Sequence, residues 1–204
     1  MSLLRKVMAK PWEHAGEMHG LHGDYVAGTH AGRTGLVVFL LVISSLFGLF
    51  GVSYYSRSLF PDWEVLREPS ILWLNTTLLL LASVALQRAS SLGKRGRTTA
   101  MRRLILAGGI LTLAFIGGQF TAWNELAGSG YLARNNPAIA FFYLLTGVHA
   151  LHLAGGLWYL GRLGLKLRRE ENPADLLNSV SLSAAYWHYL LLVWLAMFAL
   201  LLLT

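Results

Sequence analysis

Three histidines lie within apolar stretches of the sequence, and they are the side chains there best suited to chemistry. His149 and His152 are three residues apart, which places both on one face of a helix, and His188 lies in a later stretch. Neutral imidazole binds iron and copper, and a bis-histidine haem takes one histidine from each of two facing helices. One hypothesis is therefore a membrane cytochrome b that uses His188 with either member of the pair. We favour hydrogen bonding between helices instead. A histidine pair at this spacing is weak evidence for a metal site, and four-helix cytochromes carry more axial histidines than this, two for each haem.

Other polar side chains lie inside or beside the same stretches. Asn75 and Gln119 are expected to hydrogen-bond neighbouring helices. Trp123 falls at the depth that suits an indole at the membrane surface, and Glu125 is expected in a solvated loop. The apolar stretches contain no Asp or Glu, which counts against an autonomous proton pump or ion transporter.

The composition excludes an ordinary water-soluble enzyme. Of the 204 residues, 55% are hydrophobic and only 13% are charged, whereas globular domains average about 25% charged residues. The sequence has no cysteine, which excludes disulfides, thiolate metal sites, cysteine nucleophiles and covalently attached c-type haem. A membrane protein is therefore predicted.

Five apolar runs are long enough to cross a bilayer as helices. They predict an all-α, polytopic membrane protein: a five-helix transmembrane bundle at 34–204 after a polar N-terminal tail at 1–33. Histidines in the tail could bind a metal or buffer protons, but we interpret them as solvated. Glycine pairs inside the runs would let helix backbones approach closely. The predicted spans are 34–56, 70–86, 104–123, 138–160 and 179–203, and the tail histidines are His14, His19, His22 and His30.

The distribution of charge predicts the topology. Of the 17 Lys and Arg residues, 14 fall in the tail and in the loops after the second and fourth runs. The positive-inside rule then places the N-terminus inside and the C-terminus outside, in agreement with an odd number of spans. The most basic loop, 88–103, is expected to contact anionic lipid headgroups, and no nucleic-acid partner is expected.

Two segments carry a resemblance to a known family. They are FYLLTGVHALHLAGG at 142–156 and YWHY at 186–189, the latter followed by VW at 193–194. With weaker matches in the second and third runs, they resemble subunit III of the haem-copper oxidases, the cytochrome c oxidase and quinol oxidase family, in a shorter five-helix form. The family-motif residues, expected to serve packing or lipid contact, are His149, His152, Gly155, Gly156, Trp187, His188, Gln119, Trp123 and Asn75.

The resemblance implies a non-catalytic subunit that binds neither haem nor copper itself. Its expected partners are catalytic subunit I, other oxidase subunits and membrane lipids. Subunit I would hold the haem and copper and reduce oxygen to water in aerobic respiration. The complex would couple this reaction to proton translocation. This chain would stabilise the catalytic subunit, bind phospholipid and support proton uptake. The implied location is a bacterial inner membrane.

One departure from the family pattern concerns carboxylates. Many relatives carry a glutamate inside the first span of this five-helix core, but residues 41–48 contain no acid. A second acid that often follows the span-three glutamine appears here as Ala122, or is displaced to Glu125. The accessory subunit-III-like protein of nitric oxide reductase shares the same five-helix pattern and remains an alternative.

Overall fold

All regular structure in the described part of the chain is helical. The computed structural model describes residues 23–61, 63, 69–128, 137–168 and 173–203, with side chains described from residue 32 onward except at 168, 173 and 174. Five helices within these ranges are long and apolar enough to span a membrane, which confirms the predicted all-α, five-span fold. They are α1 (Gly23–Ser58), α2 (Ile71–Lys94), α3 (Thr98–Gly128), α4 (Pro137–Arg168) and α5 (Pro173–Leu203).

The chain divides into two units, Met1–Val38 and Phe39–Thr204, and every contact described below lies within the second. The tail histidines fall outside the described side chains. The acid-rich loop after the first run, which the predicted topology places on the outer face, has its acids Asp62, Glu64 and Glu68 outside the described residues. The predicted orientation of the termini and the predicted division at residue 33 stay predictions.

Helices α2 to α5 form a closed ring of neighbours. Helix α2 packs against α3 and α5, and α4 packs against the same two helices. The buried surface includes long apolar side chains such as Leu79, Phe115 and Trp194, none of which is exposed. Side chains on the outside are also apolar, for example Leu106 and Leu151, as a lipid-facing surface requires.

Helix α1 joins this ring through side chains of its second half. Ser44 hydrogen-bonds Tyr189 of α5 at 2.7 Å. The ring of Tyr54 packs edge-on against Phe141 of α4, with 5.7 Å between the centroids. Phe47 is buried and contacts histidine rings on α4. Aromatic side chains therefore fill much of the contact between α1 and its neighbours.

The basic segment 88–103 is mostly helical, although the sequence suggested a loop. Helix α2 continues to Lys94 and α3 begins at Thr98, so the connection is three residues long. Gly96 has φ of +72°, a left-handed conformation that glycine adopts without steric cost, and its N–H donates to the Gly93 carbonyl at 2.9 Å. The helices extend past the hydrocarbon thickness, which places many of the basic side chains on helix ends.

Candidate functional site

Five polar side chains on α2, α3 and α4 are fully buried, and we call them the polar core. Thr112 and Gln119 are seven residues apart on α3, and Thr146 and His149 are three apart on α4. Both spacings place the two side chains of a pair on one helix face. Burial of polar groups in a membrane protein demands hydrogen-bond partners. The polar core consists of Asn75, Thr112, Gln119, Thr146 and His149, each with zero exposure.

Tryptophan indoles donate hydrogen bonds to threonine hydroxyls between helices at three places. Each of these hydroxyls also donates to a carbonyl of its own helix, so it serves as donor and acceptor at once. A buried indole N–H needs an acceptor, and these bonds supply one on a neighbouring helix. The pairs are Trp187 with Thr112 at 2.9 Å, Trp194 with Thr76 at 2.9 Å, and Trp123 with Thr146 at 3.0 Å.

The bond between Trp187 and Thr112 is expected to stabilise the bundle by linking the side chains of α5 and α3, which are not direct neighbours in the ring. In a double-mutant cycle with Trp187→Phe and Thr112→Val, we expect a coupling energy of about 0.6 kcal/mol, the average for hydrogen bonds between membrane helices. Unfolding of the purified protein by sodium dodecyl sulfate, followed by tryptophan fluorescence, measures it. Strictly additive effects of the two changes would show that the bond contributes nothing.

His149 lies among aromatic rings. Its imidazole is 5.4 Å from the Trp194 ring and 5.8 Å from the Phe115 ring, centroid to centroid, and Phe47 of α1 approaches at 6.3 Å. Neither ring nitrogen has a hydrogen-bond partner among the described residues. The site therefore holds this histidine by packing.

Among the described residues, the hydrogen bonds expected for Asn75 and Gln119 are not formed. Within the described ranges, neither amide finds a partner for its oxygen or its nitrogen. Asn75 instead packs against the bare backbone of Gly118, where a methyl group would collide with its amide. The interhelical bonds expected of these amides are made by the tryptophan and threonine pairs, because their donors and acceptors face each other across the helix contacts.

His152 and His188 both form hydrogen bonds, but with different helices. Nδ1 of His152 donates to the Val148 carbonyl of its own helix at 2.8 Å. Nδ1 of His188 lies 2.6 Å from Oγ of Ser83, and its Nε2 lies 3.2 Å from Oε1 of Gln87. Both Ser83 and Gln87 belong to α2, so His188 is engaged away from His149 and His152. The structure thus favours hydrogen bonding of His188 between helices over ligation of a haem shared with α4.

The two glycines that follow the histidine pair on α4 differ in their surroundings. A Cβ at Gly156 would lie 2.9 Å from carbon atoms of both the Trp187 and Tyr186 rings. The same atom at Gly155 would meet nothing within 4 Å. The hydroxyl of Tyr186 donates to the His152 carbonyl at 3.0 Å, which fixes its ring against α4. Gly156 therefore permits the close contact between α4 and α5.

The arrangement as a whole is suited to packing. Within the described residues, no group of three or more His, Asp or Glu side chains could hold a metal ion.

Glu125, which was expected in a loop, lies in the last turn of α3 and is exposed. Of the residues in these three bonds, only Thr112 lies outside the segments that carry the family resemblance. An isolated threonine in an apolar helix gives little signal of its partner.

Comparison with known proteins assigns these features to one family. The family model described as cytochrome c oxidase subunit III matches residues 4–203. Cytochrome c oxidase subunit 3 of Thermostichus vulcanus is 31% identical over 82% of this chain and 84% of its own length. The Synechocystis protein of the same name is 26% identical over 91% of this chain and 79% of its own length. Cytochrome bo(3) ubiquinol oxidase subunit 3 of Pseudomonas aeruginosa is 22% identical over 78% of this chain and 76% of its own length.

Proposed function

Because the chain belongs to the cytochrome c oxidase subunit III family, we propose that it is the third subunit of a haem-copper oxidase complex. The complex reduces oxygen to water with electrons from cytochrome c or quinol, so the activity is that of an oxidoreductase. The observation that carries the proposal is the family match over residues 4–203, which includes every described helix of the bundle.

Within this complex the chain acts as a non-catalytic, packing subunit. Its partners are the catalytic subunit I, which holds the haem and copper, and the other oxidase subunits. Two features support this role: the tryptophan and threonine bonds join α5 to α2 and α3, and α3 to α4, and His188 directs both nitrogens to α2. The motif residues thus stabilise the fold that the catalytic subunit contacts.

The proposed role also implies which membrane holds the complex and how this chain is oriented in it. The relatives named above are bacterial proteins, so the complex belongs in a bacterial energy-transducing membrane. The basic ends of α2, α3 and α4 lie on the inner side, with the C-terminus outside, because positively charged segments are retained there.

A groove between α3 and α4 is suited to a phospholipid. This open groove has a volume of about 820 Å³ and is lined mainly by apolar side chains and glycines. Arg102 stands at one end, where its guanidinium donates to the Leu167 carbonyl in the last turn of α4. An acyl chain can lie along the apolar wall while the guanidinium attracts a headgroup phosphate. Glycines that line the groove are Gly109, Gly161 and Gly164.

Filling this groove is expected to displace the lipid. At Gly161 a Cβ meets nothing within 4 Å, so Gly161→Leu can project into the groove without striking the backbone. We expect a loss of about one phospholipid per chain, because a cavity of this size takes about one ligand. Phosphorus analysis of the purified protein measures the loss. Gly155→Leu, at an equally open glycine outside the groove, is the matched control, and equal retention by both variants would contradict the assignment.

Substitution of the histidines is expected to reduce assembly without changing haem absorbance. His188→Phe removes both hydrogen bonds to α2, and His149→Phe or His152→Phe alters the contact with Phe47. Less complex should be recovered, yet the absorbance per haem should equal that of the wild type. A Soret band lost from this polypeptide would show that a histidine ligates haem.

The proposal is tested by purifying the complex through this chain in mild detergent. Mass spectrometry of the co-purifying proteins and an optical spectrum come from the same sample. A multi-histidine haem-copper subunit together with oxygen reduction supports the oxidase. Co-purification of a nitric oxide reductase would support the accessory-protein alternative, and isolation of the chain alone with stoichiometric haem would identify a cytochrome.

A further inference from the structure

Gln119 of α3 and His149 of α4 lie at one level of the contact between these two neighbouring helices. Contacts on either side establish this level. The indole of Trp123, one turn after Gln119, donates to Thr146 at 3.0 Å. The ring of Phe115, one turn before Gln119, lies 5.8 Å from the His149 ring, centroid to centroid. Residues four apart share one helix face, so Gln119 lies on the face of α3 that meets α4, between these two contacts.

Both side chains are fully buried, and their polar atoms have no partner in the described part of the chain. This holds for the oxygen and the nitrogen of the Gln119 amide and for both ring nitrogens of His149. The groups nearby are already engaged: the Thr146 hydroxyl donates to the carbonyl of Phe142 and accepts from an indole, and the Trp194 indole beside His149 donates to a threonine of α2. Two amide atoms and two imidazole nitrogens are thus left over at one level.

The chemistry of these four atoms selects the kind of ligand that satisfies them. A neutral imidazole has one donor and one acceptor, and a primary amide has two donors and an acceptor, so the ligand must both donate and accept. Water does so, and buried waters in proteins make about three hydrogen bonds to polar groups that otherwise lack partners. A metal ion is not matched, because no group of three or more His, Asp or Glu side chains lies together in the described ranges.

We propose that a buried water molecule binds between α3 and α4 and bridges the Gln119 amide and the His149 imidazole. It accepts a hydrogen bond from one side chain and donates one to the other, and it thereby links two helices at a level where these side chains form no direct bond. Both residues lie inside predicted spans, 104–123 and 138–160, where hydrocarbon offers polar atoms no partner. The inference concerns this chain alone and does not depend on which complex contains it.

Solid-state NMR of the purified full-length protein in deuterated lipid bilayers tests the site. The sequence has two glutamines, so Gln87→Leu leaves the Gln119 amide as the only glutamine side-chain signal. We expect magnetisation from water protons to reach this amide several-fold faster than it reaches the indole N–H of Trp187, which is equally buried but donates to Thr112. The indole signal is identified by its loss in Trp187→Phe. Equal rates at the two groups, or a direct hydrogen bond between the amide and the imidazole, would overturn the proposal.

Histidine variants distinguish a shared water from one that Gln119 binds alone. His149→Phe keeps an aromatic ring in the same surroundings but removes both nitrogens, so the water loses one of its partners. We expect transfer from water to the Gln119 amide to slow several-fold. His152→Phe is the matched control, since Nδ1 of His152 donates to the Val148 carbonyl of its own helix, and it should leave the transfer unchanged. An unchanged rate in His149→Phe, or an equal decrease in both variants, would show that no water bridges the pair.

Discussion

Replacement of Gly156 by alanine is expected to destabilise the protein by about 1–3 kcal/mol, the range for overpacking a well-packed core. The added methyl would lie 2.9 Å from ring carbons of Trp187 and Tyr186. Neither ring can swing away freely, because the Trp187 indole donates to Thr112 and the Tyr186 hydroxyl donates to the His152 carbonyl. Relief therefore requires α4 and α5 to separate. Unfolding of the purified protein by sodium dodecyl sulfate, followed by tryptophan fluorescence, measures the change.

Gly155 provides the matched control for this experiment. It is the adjacent residue on the same helix, and a Cβ there meets nothing within 4 Å. Gly155→Ala should be neutral or stabilise by up to about 1 kcal/mol, since alanine has the higher helix propensity. If both alanine variants unfolded alike, the effect at position 156 would belong to the helix backbone and the proposed contact with the rings would be wrong.

The five helices could be predicted from the sequence because each apolar run is long enough to cross a bilayer. Their ends could not, because a helix can continue past the hydrocarbon on its own backbone hydrogen bonds. The predicted second span ended at Leu86, but α2 continues to Lys94, and only the left-handed Gly96 marks the turn into α3. Apolar length thus predicts how often the chain crosses, and local backbone chemistry decides where each helix ends.

Glycine pairs predicted close helix packing, but the pattern could not say which member of a pair makes the contact. In two pairs only the second glycine has a close neighbour: Gly118 faces Asn75 while Gly117 is open, and Gly156 faces Trp187 while its neighbour is open. Adjacent residues point about 100° apart on a helix, so one partner helix approaches only one of them. Which one depends on how the helices are rotated, and that follows from the whole bundle.

The same limit applies to the polar side chains. A span that contains Asn75 or Gln119 was expected to use the amide for an interhelical hydrogen bond, yet both amides lie without partners among the described residues. The donors that do bridge helices are indoles, such as Trp194 to Thr76. A hydrogen bond between helices needs a matched depth and rotation on both sides, and residue type alone gives neither.

Replacement of Gly118 by alanine is expected to be the second strongly destabilising change, again by about 1–3 kcal/mol. A methyl at this position would collide with the side chain of Asn75, which is fully buried on α2. The collision involves the amide carbon and both of its polar atoms, so rotating the amide about its own axis does not relieve it. The same unfolding titration measures the loss, and Gly117→Ala, where a Cβ meets nothing within 4 Å, is the matched control.

A second substitution tests the cause of this loss. Asn75→Ala removes the colliding amide, and because that amide has no hydrogen bond to the described residues, its removal leaves no donor or acceptor unpaired among them. We therefore expect the double variant Gly118→Ala, Asn75→Ala to be more stable than Gly118→Ala alone, with a coupling energy that opposes the single effects. A double variant less stable than either single one would mean that the Asn75 amide stabilises the fold. In that case Gly118 would serve to leave room for a necessary polar group. The expected rescue would mean that it serves mainly to bring α2 and α3 together.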